Sequence, residues 1–472
     1  MTTAAVVGSG PNGLAAAITL ATAGLRVTVL EAASTPGGGT RSGEATVPGV
    51  LHDECSGFHP LAVDNAFTRA FDLSRHGLRW AWPEVQYAHP LDGGRGAAVW
   101  RSVEETAAAL GEDGAAYRRT FGPLDARFDA IAEEFLQPVA HVPRHPVALA
   151  RFGLGAALPA TALARRWRGE PARALWAGVA AHAFRPLGTV ASSAIGLALG
   201  TAAHHHGWPV ALGGSRSIAR AMLALLAELG GRVETGVRVT SVAQCEADVV
   251  LLDTSPADAV RILGDRLPPR VRRSYLRYRH GPGAFQVAFA VRGGVPWTYE
   301  PARLAGTVHI GGSLAEIADA ERAVWRGRAV ERPFVLVGQQ HLADPGRSAG
   351  DVHPVDVYAH VPAGYDGDAT EAITAQVERF APGFRDRVVA RSVRTTRAIA
   401  GHNPNFVGGD ITTGANTARQ LLFRPRAVAD PYATGVPGVY LCSAATPPGA
   451  GTHGLCGHHA ARSALADLAR RR

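Results

Sequence analysis

The chain has 472 residues, 46% hydrophobic and 19% charged, with 55 glycines and 31 prolines, which predicts a folded chain of two or three domains and excludes disordered, collagen-like and disulfide-scaffold classes. All 48 basic residues are arginine, so pyridoxal-phosphate, other Schiff-base and P-loop nucleotide chemistries, each needing a placed lysine, are excluded. The net charge of +8 comes from arginines scattered singly and in pairs rather than from a basic arm with interleaved aromatics, so no nucleic-acid partner is expected.

The first element group is AAVVGSGPNGLAAAITLATAGLRVTVLEA, which predicts a strand at Ala4–Val7, a glycine turn, a helix over Asn12–Ala23 ended by Gly24, and a strand at Arg26–Leu30. Gly8, Gly10 and Gly13 form a G-x-G-x-x-G turn: the first for the tight bend, the second for close backbone approach to a pyrophosphate, the third for helix–strand packing. The helix N-terminus then faces the phosphates with its partial positive charge. Glu31 ends the second strand 18 residues after Gly13, placed to accept a ribose diol and to repel a 2′-phosphate. In EAASTPGGGTRSGE, Gly37, Gly38 and Arg41 follow as G-G-x-x-R, with an arginine fork suited to phosphate oxygens. At this point the chain resembles the flavoprotein superfamily of amine oxidases and phytoene desaturases, in which this loop continues an FAD site.

Residues 66–205 interrupt the nucleotide unit and read as mostly helical, VEETAAALGEDGAAYRRTF being the clearest case. No stretch reaches about 18 uncharged apolar residues. Ala148–Ala203 comes nearest, but Arg151, Arg165, Arg166, Arg168, Arg173 and Arg185 interrupt it, which leaves a peripheral membrane contact as the open alternative to a fully water-exposed surface. His204, His205 and His206 are adjacent and cannot all face one ion, so no metal site is expected there.

A second nucleotide-binding segment is expected around LGGSRSIARAMLALLAELGGRVETGVRVTSV, with a helix over Ser215–Leu229 and strands after Gly230–Gly231 and in ADVVLLDTSP. Residues 270–425 return to the inserted domain, where FQVAFAV, RPFVLVGQQ and DVYAHV predict strands of a covering sheet. Asn403, Asn405 and Asp410 frame a turn-rich stretch, lining a pocket or shaping turns. The last segment predicts a strand at Val439–Cys442, a Gly/Pro loop over Ser443–Thr452, and a terminal helix from about Leu455. Cys55, Cys245, Cys442 and Cys456 form no C-x-x-C, so a reduced, cytoplasmic chain without zinc is expected, and strand-like sequence from Ala4 leaves no export signal in this reading.

The resemblance narrows on three stretches, HDECSGFHPLA, NPNFVGGDITTGA and TPPGAGTHGLCGHHAA, which look like the phytoene-desaturase-related group of FAD-dependent oxidoreductases. It implies an α/β fold: a Rossmann-like FAD domain from residues 1–65, 206–269 and 426–472, with an inserted α+β substrate domain from 66–205 and 270–425. It further implies Val239 at the adenine end, as an alternative to simple core. Ser443, Gly454 and Leu455 would lie along the phosphate, ribityl and pyrimidine parts of the cofactor. No second G-x-G-x-x-G occurs, so electrons are expected to pass to oxygen, a quinone or another acceptor. The lysine count also excludes a flavin amine oxidase that holds water on a lysine. Histidine is then the leading proton carrier. His453 is the first candidate for acid/base or flavin contact, against a loop-fixing hydrogen bond, and His59 is the second, against a structural role. The implied activity is dehydrogenation of a largely apolar small molecule, with a flavin-dependent double-bond isomerase and a non-catalytic FAD-retaining protein as alternatives.

Overall fold

The computed structural model describes residues 1–138 and 141–471. Five short strands form a parallel sheet in the order Val439–Leu441, Val249–Leu252, Thr3–Val7, Arg26–Glu31, Arg232–Thr235. Three separated stretches of chain thus build one doubly wound sheet, as parallel strands require crossovers. The Ala- and Leu-rich helix Pro11–Thr22 is buried against one face, flanked by Arg216–Glu228 and the terminal helix Leu455–Arg471. The helices Pro256–Leu263 and Pro269–Leu276 cover the other face.

The inserted residues make a seven-stranded sheet in the order Val388–Arg394, Gly283–Arg292, Val352–Val361, Val335–Gly338, Ala305–Ile310, Val85–Pro90, Gly96–Trp100. It is antiparallel except between Ala305–Ile310 and Val85–Pro90. The first insert therefore supplies a hairpin as well as helices. Its expected helix over VEETAAALGEDGAAYRRTF is two, Val103–Ala109 and Gly114–Asp125, because the second crosses so closely that a Cβ on Gly114 would lie 2.0 Å from the Ala107 carbonyl oxygen. Strand alternation divides the sheet's faces. Phe285, Val287, Phe289, Val355, Val357 and Val337 pack into a core under Thr370–Phe380, while Gln286, Asp356, Tyr358 and Leu336 point the other way, into a cavity beside the parallel sheet.

Candidate active site

The cavity, about 700 Å³, starts at the carboxyl ends of the parallel strands, where open α/β sheets bind ligands. Two glycine loops make its floor. A Cβ at Gly13 would sit 2.1 Å from the Gly8 carbonyl oxygen, so only glycine lets the helix start this close to its strand. Gly38, at φ +54°, presses on the first loop, with a Cβ there falling 2.9 Å from the Gly10 Cα. That packing gives G-G-x-x-R its physical reason. Glu31 sits at the mouth: one carboxylate oxygen accepts Ser9 N–H (2.9 Å) and Ser9 Oγ (2.6 Å), and the other accepts Ala33 N–H (2.8 Å). Ser9, a variable position in the glycine motif, was not singled out from sequence.

Arg41 is on the wall but does not present a free fork. Its Nε donates to the Gly38 carbonyl at 3.0 Å and its Nη2 to the His402 carbonyl at 2.8 Å, tying the loop to the inserted domain, and burial pulls its pKa below the ordinary value. Val239 also lines the cleft, in an extended stretch after the strand Arg232–Thr235 rather than in a strand, its side chain packed beside Val7 and Leu30.

A residue missed in the sequence lies beneath the loops. Asp253, at the tip of the strand Val249–Leu252, accepts the Gly13 N–H at 3.0 Å, and burial, with Glu31 nearby, pushes its carboxyl up to about 7. Its carbonyl accepts Asn405 Nδ2 at 2.9 Å, so Asn405 both lines the cleft and fastens the two domains. Asn403 lines it too, whereas Asp410 is buried and shapes a turn through Thr412 N–H and Gly281 N–H. The signal for Asp253 was its place after an apolar strand beside the glycine turn.

The third segment meets the cleft earlier than expected. Among the described residues its contribution to the wall is Ala444, Ala450, Gly451 and Thr452. Ser443 is buried, its carbonyl accepting the Thr446 N–H and hydroxyl, and so shapes a turn. Gly454 packs against Ala15 of the first helix, and the Leu455 N–H is spent on His453 Nδ1 at 3.1 Å. His453 itself is buried and held neutral, its pKa lowered to about 3 by burial. His59 is likewise buried, with Nε2 2.9 Å from Ser215 Oγ and its pKa lowered to about 4 by burial. Both histidines hold loops, the alternative reading of each, and neither is among the residues that line the cavity. Of the histidine tract, His204 bonds Tyr117 OH at 2.8 Å and His205 bonds Asp125 at 3.2 Å.

Beyond Phe58 the cleft opens into an inner chamber with Phe184, Leu199, Trp208 and Leu336 as apolar walls. His182 also lines it, and its Nε2 lies 2.8 Å from the Nε2 of His309, two residues along the strand from Thr307 and on the same face. Burial lowers both, helped by the charge of His360 for His182, which falls to about 3, and by His182, His89 and His360 for His309, so the pair is neutral. Only one of the two facing nitrogens carries a hydrogen. His309 Nδ1 is buried without a hydrogen-bond partner. His182 uses Nε2 on His309, and its Nδ1 makes no hydrogen bond among the described residues, which leaves that nitrogen for a ligand. No local pattern marked this pair, which is 127 residues apart in sequence.

The comparisons agree with this geometry. A profile of NAD(P)-binding Rossmann-like domains matches residues 6–73. Pyridine nucleotide-disulfide oxidoreductase domain-containing protein 2 of Mus musculus is 37% identical over 93 residues, 20% of this chain and 16% of that protein, and its Rattus norvegicus counterpart is 36% identical over the same length. The alignment thus spans about a sixth of those relatives' length. Along nearly the whole chain, wild-type putrescine oxidase bound to putrescine superposes with a TM-score of 0.61 at 18% identity, covering 99% of each chain. The chain has the same overall fold as that oxidase. Cyclohexylamine oxidase from Brevibacterium oxydans (TM-score 0.58, 15% identity, 99% of this chain and 100% of that one) and an oxidoreductase from Methanosarcina mazei (0.61, 12%, 98% and 100%) share it.

The residues present fit a dinucleotide. A Cβ on Gly10 would lie 2.9 Å from Asp253 Oδ2 and one on Gly38 2.9 Å from the Gly10 Cα, so the loops keep this shape only as glycines; the Glu31 carboxylate stands at the mouth, and Asn12 at the helix start has a buried, unpartnered Oδ1.

Proposed function

We propose that the chain is an FAD-dependent oxidoreductase that dehydrogenates a largely apolar small molecule. The observation that carries this reading is the continuity of the cleft: the glycine loops, Glu31, Phe58, Trp208 and His182 border one space, so a dinucleotide and a second ligand in the chamber share it. The second glycine loop and the Ala444–Thr452 wall support FAD over a nicotinamide dinucleotide. When bound, FAD supplies a two-electron acceptor that takes a hydride at N5.

The chain's own residues do the holding. Glu31 accepts the ribose diol, the first turn of Pro11–Thr22 meets the pyrophosphate with its free N–H groups, and the backbone at Val239 meets the adenine edge. Phe184, Leu199, Trp208 and Leu336 bind and desolvate an apolar substrate. In this reading His309 Nε2–H donates to His182 Nε2, which places the His182 hydrogen on Nδ1, where it orients a carbonyl, hydroxyl or ether oxygen of the substrate. Oxygen or a quinone would be the final acceptor of the electrons.

The test is anaerobic bleaching of the bound flavin by a panel of apolar hydride donors, with amines as comparison. An apolar donor is expected to bleach the flavin and leave one double bond more. Movement of a double bond without net oxidation, or no bleaching by any donor, contradicts the proposal.

A further inference from the structure

The helix Pro146–Ala156 buries Ala148, Phe152 and Ala156 against the inserted helical core. Its other face should be polar in a water-exposed protein. Instead Val147 is 74% and Leu154 76% exposed, and the stripe continues to Leu158 at the helix's end. Val190 reaches the same place, because its neighbour Ala191 donates its N–H to the Ala157 carbonyl at 2.9 Å, and Val190 is itself 62% exposed. Four large aliphatic side chains on one surface are more than isolated exposed residues account for.

The charge around this face has one sign. Residues 135–169 contain no aspartate or glutamate and five arginines, Arg144, Arg151, Arg165, Arg166 and Arg168. Arg144 and Arg151 are exposed, on the turn before the helix and on the helix between Val147 and Leu154. The nearest acids are engaged elsewhere: Glu134 is buried on His141 and His145 N–H, and Glu133 pairs with Arg69 and His145. Apolar tips with guanidiniums beside them, whose stems can lie along the hydrocarbon while their heads stay at the phosphates, match the surface of an anionic bilayer.

We infer that this face, Val147, Leu154, Leu158 and Val190 with Arg144 and Arg151, docks the protein on an anionic lipid bilayer by shallow insertion. No single helix among the described residues is long and apolar enough to cross a membrane, and Pro146–Ala156 reaches that length only together with Ala160–Arg166, across a bend of 96°; the inference is of shallow insertion of the one exposed face. The helix packs on Ser193–His205, whose Leu199 lines the inner chamber, so docking brings the chamber to within one helix layer of the lipid. The inference concerns the surface alone and does not depend on the cofactor assignment.

The test is sedimentation of the full-length protein with vesicles of phosphatidylcholine alone and of phosphatidylcholine mixed with phosphatidylglycerol, at low and high salt. The protein is expected to pellet with the mixed vesicles at low salt, and less at high salt. The double variant Val147→Ser, Leu154→Ser should lower the bound fraction about tenfold, and Arg144→Glu with Arg151→Glu should remove the preference for the anionic lipid. Since all four side chains already face solvent, the variants should keep the wild-type thermal midpoint, which checks that they fold. Failure to pellet with either vesicle overturns the inference, as does equal binding by wild type and the serine double variant. So does light scattering that shows a lipid-free dimer dispersed by the same double variant, which would assign the face to a second copy of the chain.

Discussion

Asp253 accepts the Gly13 amide at 3.0 Å, largely buried beside the two glycine loops at the wall of the cleft. Its folded carboxyl is raised from 3.8 to about 7, with burial the main cause. The folded state therefore holds a proton that the unfolded chain releases. Stability from this group is fully present below about pH 4 and is lost as pH rises to about 7, about 4 kcal/mol if the whole shift is expressed. Asp253→Asn keeps an acceptor for Gly13 and should flatten that part of the pH profile. Denaturant midpoints of both proteins from pH 4 to about 8 check it, and parallel profiles would contradict it.

His182 and His453 should separate cleanly. His182→Phe removes the donor left for a ligand in the chamber and should lower the rate of flavin bleaching by substrate about tenfold while the cofactor stays bound. His453→Ala leaves the buried Leu455 N–H without its acceptor and should cost about 1–3 kcal/mol of stability with bleaching little changed. Stopped-flow reduction and thermal melts on the two variants read out both effects. A rate loss confined to His453→Ala would reverse the assignment.

Arg347 is fully buried at the seam of the two domains, donating to Asp53 at 2.5 Å, Asp344 at 3.0 Å and the Ala211 carbonyl at 2.9 Å. Asp53 also accepts the Ser42 hydroxyl and Ser215 N–H, and its pKa stays below the usual carboxylate value because Arg347 and these donors outweigh its burial. Arg347→Met strands two carboxylates and should destabilise the fold by about 3–5 kcal/mol. Urea unfolding checks this, a change under about 1 kcal/mol contradicting it.

The nucleotide half of the site was legible because its information is local. Gly8, Gly10, Gly13 and Glu31 lie within one strand–helix–strand unit, and the spacing alone states their geometry. Apolar runs next to glycine turns located the strands, while their assembly from three separated segments was implied by the family resemblance. What stayed hidden is set by tertiary contacts. Leu455 opens a helix as read, yet its N–H is consumed by His453, and the wall shifts to Ala450–Thr452 because Gly454 and Gly457 dock the terminal helix on the first one. His52 and Asp53 could be recognised only as part of a resembling stretch. Their work, with His52 Nδ1 on Asp356 at 2.7 Å and Asp53 on Arg347, needs strands some 300 residues away. His182 likewise gains its meaning from His309.

The central claim is that the cleft holds FAD, and the most direct measurement is the absorbance spectrum of the purified protein, with identification of the cofactor released on denaturation. The account predicts bands near ~375 and ~450 nm, FAD in the supernatant, and loss of both in Gly10→Val, whose Cβ would lie 2.9 Å from Asp253 Oδ2 and push the loop out of shape. A colourless protein that takes up no added FAD, or a Gly10→Val variant that purifies with full flavin occupancy, would contradict it.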